Sequence, residues 1–190
     1  MKLFERIGLA TVLFSALALS QPAFAADAEP DSIVVLATHA EKKPDDPVQV
    51  KFEKFKVTKA TFDPKKVEGG KATIEIDTTS LKSGSEKRDT HLQTADFIDA
   101  KKFSTITVDI DKVKKKAGNT YTAEATVKLR DITKKYPVTF DVVSSTADSI
   151  TIKGEAAFSR FDFNVGDKDL KKAPVSPDLT IKLNLTLKKT

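Results

Sequence analysis

The stretch "YTAEATVKLRDITKKYPVTFDVV", residues Tyr121 to Val143, decides the fold. Tyr121, Ala123, Ala125, Val127 and Leu129 alternate with polar partners, and Tyr136, Val138, Phe140 and Val142 resume the same period of two after a break at Arg130-Asp131. A period of two places every apolar side chain on one face of an extended strand. The break is too short for the crossover that parallel neighbours require, so the two strands must pair antiparallel.

The same pattern runs outward in both directions. Upstream lie Ala72, Ile74 and Ile76, then Ile106, Val108 and Ile110; downstream lie Ile150, Ile152, Gly154, Ala156 and Phe158, then Leu179, Ile181, Leu183, Leu185 and Leu187. Earlier still, Val48, Val50 and Phe52 alternate, and Phe55 and Val57 continue in the opposite phase. A slip of one residue exchanges the faces of a strand, so a bulge or corner is expected at Glu53 and Lys54. Turn signals at Glu68-Gly69-Gly70, Ala117-Gly118-Asn119, Arg130-Asp131, Ser144-Ser145 and Val165-Gly166-Asp167 separate the runs. The chain is thus predicted to be all-β, with about eight antiparallel strands. A sandwich would satisfy the pattern, but closure into a barrel buries every apolar face and removes the edges, so a barrel is preferred. Ala123, Ala125, Gly154 and Ala156 leave the interior open to two readings, a core interdigitated with Phe140 and Phe158 or a cavity for an apolar guest.

The first 25 residues read differently. Lys2 and Arg6 precede an apolar run from Ile7 to Leu19, and Ala23-Phe24-Ala25 has the small-x-small form of a cleavage site. Residues 1–25 are expected to be a secretory signal peptide, residues 26–47 an arm or first strand, and residues 48–190 the barrel domain. The chain has no cysteine, which removes disulfides, thiol catalysis and thiolate metal sites. A bacterial periplasm is the expected location. Net charge over the whole chain is +5, carried in lysine pairs at segment ends such as Lys65-Lys66, Lys114-Lys115-Lys116 and Lys188-Lys189. Such lysines protect strand edges. Little arginine and no aromatic residues among the lysines argue against nucleic acid; at most a peripheral contact with an anionic membrane is expected.

From Ser83 to Phe103 the alternation is lost. Leu92, Ala95 and Ile98 fall at helical spacing, and Asp89 or Thr90 could cap a first turn. One or two helical turns are predicted, with Phe97, Ile98 and Phe103 as anchors over one end of the barrel. His91 finds no serine in a nucleophile-elbow context, and His39 and His91 are the only imidazoles, so neither a hydrolytic triad nor an N/S metal site is assembled. No catalytic residue, metal or cofactor is expected.

"RDTHLQTADFIDAKKF", Arg88 to Phe103, resembles the R-D-x-H-L-x-S-x-D-F-F-D signature of the YceI-like family of bacterial polyisoprenoid-binding proteins. Arg88, Asp89, His91, Leu92, Asp96, Phe97 and Asp99 fall in register, and "AAFSRFDFNVG", Ala156 to Gly166, resembles the family's F-x-R-x-D-F-G segment. The resemblance implies an eight-stranded antiparallel lipocalin-like barrel with a short helical segment between strands. It also implies a periplasmic protein that holds an isoprenoid, such as a quinone tail, and in some members a stress response. The chain departs from the pattern where the early strand lacks a His and a Gly-Phe step, at Asp131 in place of a turn glycine, and at Asn164 in place of the glycine after Asp-Phe.

Two functions follow. The first is non-enzymatic binding, transport or scavenging of an isoprenoid or quinone lipid, with Ile74, Ile76, Ile106, Val108, Ala123, Ala125, Phe140, Phe158 and Leu183 lining the lumen by strand phase. The second is a filled barrel acting in stress or interaction through its lysine-rich surface. Arg88, Asp89, His91, Arg160 and Asp162 have either a structural role, with Asp89 capping the helix, Arg88 and His91 hydrogen-bonding across the barrel end and Arg160 and Asp162 in an interstrand ion pair, or a role as a polar rim that meets a headgroup. The oligomeric state is left open, a homodimer included.

Overall fold

A computed structural model describes residues 29–39, 47–171 and 175–190. The expected signal peptide lies outside these residues. Where the sequence alternates, the chain is extended. The strands are β1 (Ser32–His39), β2 (Val48–Phe52), β3 (Phe55–Asp63), β4 (Lys66–Asp77), β5 (Leu81–Lys82), β6 (Thr105–Ala117), β7 (Thr120–Leu129), β8 (Ile132–Ser145), β9 (Ser149–Ser159) and β10 (Val175–Lys188). Among the described residues one α-helix, α1 (Glu86–Leu92), follows β5, and short 3-10 turns occupy Thr78–Ser80 and Arg160–Phe163.

All strands pair antiparallel in a single ten-stranded sheet of order β3-β4-β6-β7-β8-β9-β10-β1-β2-β5. This corrects the expectation of a closed eight-stranded barrel. The sheet is a curled half-barrel, and among the described residues its outer strands, β3 and β5, do not complete the ladder. The difference has a local cause. Two long strands are each broken by a corner, at Glu53–Lys54 between β2 and β3 and at Thr78–Ser80 between β4 and β5.

The corners clasp each other. Glu53 donates its N–H to the Ser80 carbonyl at 3.2 Å, the Asp77 N–H reaches the Lys54 carbonyl at 2.9 Å, and Ser80 Oγ accepts from the Lys54 N–H at 3.0 Å. Asp77 shapes the second corner by accepting from the Thr79 N–H at 2.8 Å and the Thr79 hydroxyl at 2.7 Å. Since β3 continues β2 and β5 continues β4, these bonds join the two edges where a ladder would otherwise run. The corner expected from the phase slip is therefore present and structural.

Other turn signals fare unevenly. Gly118-Asn119 and Arg130-Asp131 form tight reversals, but Glu68-Gly69-Gly70 lies inside β4, and the reversal falls at Pro64-Lys65. Gly69 adopts φ +75, and a Cβ on Gly70 would sit 2.9 Å from the Val67 carbonyl oxygen. The glycines mark a kink within a strand instead of a turn, two roles that share the same residue. A further irregularity was not foreseen. Between Asp111 and Lys114 the β6–β7 register shifts, Lys112 takes φ +53, and the inward phase passes from Ile110 to Val113. Residues 32–39, within the expected arm or first strand, form β1, which pairs with β10 and β2.

The apolar face is filled at one end only. Phe62, Val67, Val113, Tyr121, Phe140, Ile150, Leu185 and Leu187 are buried near the β3–β4, β6–β7 and β8–β9 turns, where the Tyr121 and Phe140 rings stack at 5.7 Å. Toward the other end of the sheet, inward residues such as Val35, Val50, Val108, Val127, Val138, Ile181 and Leu183 are only partly buried. Partial exposure on the inward face means open space inside.

Close strand approach supports the filled end. A Cβ on Gly154 would lie 2.8 Å from the Thr139 carbonyl oxygen and 3.0 Å from Phe140 Cβ. Gly154→Ala is expected to lower the unfolding free energy by about 1–3 kcal/mol through overpacking against backbone, measured by urea titration. Unchanged stability would mean that β8 and β9 separate freely there.

Candidate functional site

The open space is a cavity of about 640 Å³, within the usual range for ligand pockets. Ile74, Ile76, Ile106, Val108, Ala125, Phe140, Phe158 and Leu183 line it, as their strand phase implies. Ala123 does not; it is buried in the core, although Val138, its partner across the β7–β8 ladder, reaches the cavity. The wall also includes Val35, Val50, Val127, Tyr136, Val138 and Ile181. Val127, Val138 and Ile181 share the phase of the residues chosen from sequence, so extending each strand by one period would have found them. Val35 comes from β1, whose place in the sheet is set by pairing with β10 and not by its own pattern.

Residues Ser83 to Phe103 form a plug at the end opposite the filled floor. Arg88, His91 and Leu92, spaced three and four residues apart on one face of α1, reach the cavity together with Phe97 and Ile98. The plug is fastened on several sides. Thr78 donates its N–H to the Ser104 carbonyl at 3.0 Å and its hydroxyl to the Phe103 carbonyl at 2.8 Å. The Gly166 N–H donates to the Asp96 carbonyl at 2.7 Å, and Arg130 Nη1 donates to the Phe97 and Asn164 carbonyls at 3.1 and 3.3 Å. His91 packs edge-on against Phe97 with ring centroids 4.8 Å apart. Arg130 was missed as a functional position; its only sequence signal was its place in a tight turn, where it adopts φ +58.

Asp89 does not cap the helix. Ser85 occupies the N-cap position, and Thr90 donates to the Glu86 carbonyl at 3.0 Å. Asp89 lies within α1, is 7 % exposed, and accepts from the Ser83 N–H at 2.8 Å and the Ser83 hydroxyl at 2.6 Å. It thereby ties the chain entering α1 back onto the helix. These bonds, chiefly that from the Ser83 hydroxyl, hold its carboxyl below the ordinary value of 3.8.

Arg160 and Asp162 fall in the 3-10 turn after β9, not on neighbouring strands, and their bonds do not run to each other. Arg160 is 4 % exposed, and its guanidinium donates to the carbonyls of Ser176, Val165, Asp167 and Val175 at 2.7–3.2 Å. It also lies 4.4 Å from the Phe161 ring centroid. Burial pushes its pKa down, with the Asp167 charge opposing. Asp162 accepts from the Tyr136 hydroxyl at 2.8 Å, and burial followed by that bond pushes the Tyr136 phenol well above its ordinary range. Of the five polar residues singled out from sequence, Arg88 and His91 reach the cavity rim exposed, whereas Asp89, Arg160 and Asp162 are engaged in holding loops.

A hollow half-barrel closed by a plug of this sequence has known relatives, and the sequence model described as "YceI-like domain" matches residues 24–187. The chain belongs to the YceI-like family. It is 33% identical over 88 residues to a UPF0312 protein of Vibrio campbellii, a match covering 46% of this chain and 47% of that protein. A UPF0312 protein of Azotobacter vinelandii is 27% identical over 126 residues, covering 64% of this chain and 65% of its own length. The matched stretch spans about half the length of the first of these relatives. Among solved structures, BcnA of Burkholderia cenocepacia superposes with TM-score 0.73 at 23% identity, covering 83% of this chain and 96% of that one. The YceI protein of Campylobacter jejuni gives 0.67 at 20%, covering 75% and 85%. A protein described as a polyisoprenoid binding domain from Saccharophagus degradans gives 0.65 at 13%, covering 86% and 97%.

In this YceI-like chain Asn164, which replaces the family glycine, adopts the left-handed φ 52, ψ 41, a conformation that asparagine tolerates better than most residues. The departure therefore leaves the loop's shape intact.

Two outcomes are expected. Arg160→Met strips a buried guanidinium from four carbonyls and should cost about 3 kcal/mol of stability in denaturant titration; a neutral effect would mean that water replaces the bonds. Because the Asp89 pKa is depressed on folding, its contribution is complete above the unfolded value and is lost as pH falls through the folded one. Amide protection across Ser83–Leu92 should therefore drop as pH falls below the ordinary carboxyl value of 3.8, a dependence absent from Asp89→Asn. Identical profiles in both proteins would remove Asp89 from the account.

Proposed function

We propose that this YceI-like protein is a non-enzymatic carrier or scavenger of an apolar lipid with an isoprenoid tail. The cavity carries this reading: aliphatic side chains on the inward faces of eight or more strands are held away from bulk water yet unfilled by their own neighbours. The description of the Saccharophagus degradans relative as a polyisoprenoid binding domain supports the chemistry of the guest. At roughly 30 Å³ per non-hydrogen atom, the share of a water in liquid, the volume of about 640 Å³ accommodates about twenty atoms, or about four isoprene units. Longer tails would leave through the mouth. Burial of apolar surface at about 25 cal/mol per Å² supplies the affinity, with no directional contact needed along the tail.

The export pattern of residues 1–25 supports a periplasmic location, where such a lipid would need an aqueous carrier. The hollow interior supports this reading over the alternative of a filled barrel acting through surface lysines.

Native mass spectrometry of freshly purified protein, followed by solvent extraction, tests the reading. An extractable mass of several isoprene units is expected. Ala125→Phe, which places a ring into the cavity wall, should reduce bound lipid severalfold without unfolding the protein. Protein that is empty as isolated and ignores added isoprenoid would overturn the proposal.

A further inference from the structure

Charge is unevenly spread over the two ends of the half-barrel. The plug, Ser83 to Phe103, is balanced: Lys87, Arg88, Lys101 and Lys102 stand against Glu86, Asp89, Asp96 and Asp99. The loop from Arg160 to Lys171 is balanced too, with Arg160, Lys168 and Lys171 against Asp162, Asp167 and Asp169. The filled end is not. Its β3–β4 and β6–β7 turns and the strand ends beside them carry Lys65, Lys66, Lys71, Lys114, Lys115 and Lys116, and all six are exposed.

Over residues 63–71 and 113–119 the only carboxylates are Asp63 and Glu68, and both are turned back onto the chain. Asp63 accepts from the Lys65 N–H at 2.9 Å, and Glu68 accepts from the Lys115 N–H at 3.3 Å. The second bond also holds the two hairpins side by side, beyond the point where the β4–β6 ladder ends at Ala72 and Ile110. Lys188 and Lys189 join them across the β8–β9 turn, where Asp148 is the opposing carboxylate. There the Lys189 N–H donates to the Asp148 carbonyl at 2.9 Å, and the Ser145 hydroxyl donates to the Pro64 carbonyl at 3.1 Å.

Protection of a strand edge does not account for this density. An edge is guarded by one outward lysine, and here three follow in succession. Lys114 lies opposite Thr122 with the outward phase, whereas Lys115 lies opposite the inward, buried Tyr121 and is nonetheless exposed. Lys115 therefore sits below the packed floor, where an inward side chain meets water. The lysines surround the strand ends on both faces, and none of the six makes an ion pair among the described residues.

We infer that the filled end docks on an anionic lipid surface through these lysines. Its features suit a plane of diffuse charge more than a shaped partner. Lysine is a flexible point charge without the fork that arginine offers to a defined anion. The two hairpin tips hold neither the aromatic nor the arginine anchors on which protein interfaces centre. Small residues at the β6–β7 tip, Ala117, Gly118 and Asn119, allow close approach. Lysines near an anionic bilayer contribute comparable increments, so the attraction grows with their number and weakens with salt. The docking does not depend on the carrier reading. Combined with it, the geometry turns the plug toward the aqueous side, so that a guest enters from solution and not from the docked bilayer.

Flotation assays test the inference with processed protein, free of residues 1–25 so that the apolar run from Ile7 to Leu19 cannot contribute. Vesicles of phosphatidylcholine are compared with vesicles of equal parts phosphatidylcholine and phosphatidylglycerol. Binding to the anionic vesicles should be about tenfold stronger and should fall severalfold from low to physiological salt. Combined Lys114→Gln, Lys115→Gln and Lys116→Gln should lose about tenfold. Lys87→Gln, Lys101→Gln and Lys168→Gln together remove the same charge from the plug end and should stay within about twofold. Thermal melting of both variants, expected unchanged because all six side chains are exposed, reports an intact fold. A dye on a single introduced cysteine, the chain having none of its own, reports orientation: it should blue-shift on anionic vesicles at Asn119→Cys and not at Lys87→Cys. No binding to anionic vesicles, equal binding to neutral ones, equal losses in the two triple variants, or a dye shift at Lys87→Cys as large as that at Asn119→Cys would overturn the inference. Binding of soluble polyglutamate without binding to vesicles would assign the lysines to an acidic chain and overturn it too. None of these outcomes involves the cavity, so the carrier reading stands or falls separately.

Discussion

The structure depends on one constraint: a strongly curled antiparallel sheet with a single apolar face encloses a volume that its own side chains must fill. Near the β3–β4, β6–β7 and β8–β9 turns they do, with Tyr121 stacked on Phe140 and Ile150 and Leu185 fully packed. Toward the plug, the facing residues are valines and alanines such as Val127, Val138, Ala125 and Ala156, too short to meet across the interior. The cavity is the part of the enclosed volume that these side chains do not reach. An empty apolar cavity costs cohesion, so a guest that fills it stabilises the same fold that admits it.

Polar chemistry is concentrated at the plug end, and it divides into two tasks. Arg160, Arg130 and Asp89 satisfy backbone carbonyls and amides where the chain leaves the sheet. Loop backbone cannot join a ladder, and buried orphan groups are costly, so charged side chains with several donors or acceptors are efficient partners there. Arg88 and His91 stand beside this framework with donors to spare. The family signature thus contains residues that build the mouth alongside residues that face the cavity, closely interleaved along the chain.

Much of the fold was legible from residue alternation. The antiparallel pairing, the corner at Glu53–Lys54 and most lumen-facing residues followed from the period of two, because a strand's side chains must alternate whatever the context. The strand count was not legible: the 3-10 turn at Thr78–Ser80 exists through bonds to Lys54 and Asp77, one of them a partner far away in sequence. Gly69-Gly70 was misread because glycine serves turns and in-strand kinks alike. Ala123 was placed in the lumen because phase tells which face a residue occupies and says nothing of whether its side chain reaches the open space. The roles of Asp89 and Arg160 were misassigned for a related reason, since local capping and ion pairing are guesses about neighbours that only the folded chain supplies.

What the sequence determined by itself is local and periodic: extended segments, their apolar face, the breaks between them, and a plug that departs from the rhythm. Tertiary structure decided how far the sheet curls, that its edges are joined through clasped corners, and that the interior is full at one end and hollow at the other. These depend on distances across the sheet, set by register and twist among strands far apart in the chain. No window of sequence contains both sides of that gap, so the cavity emerges only when the strands come together.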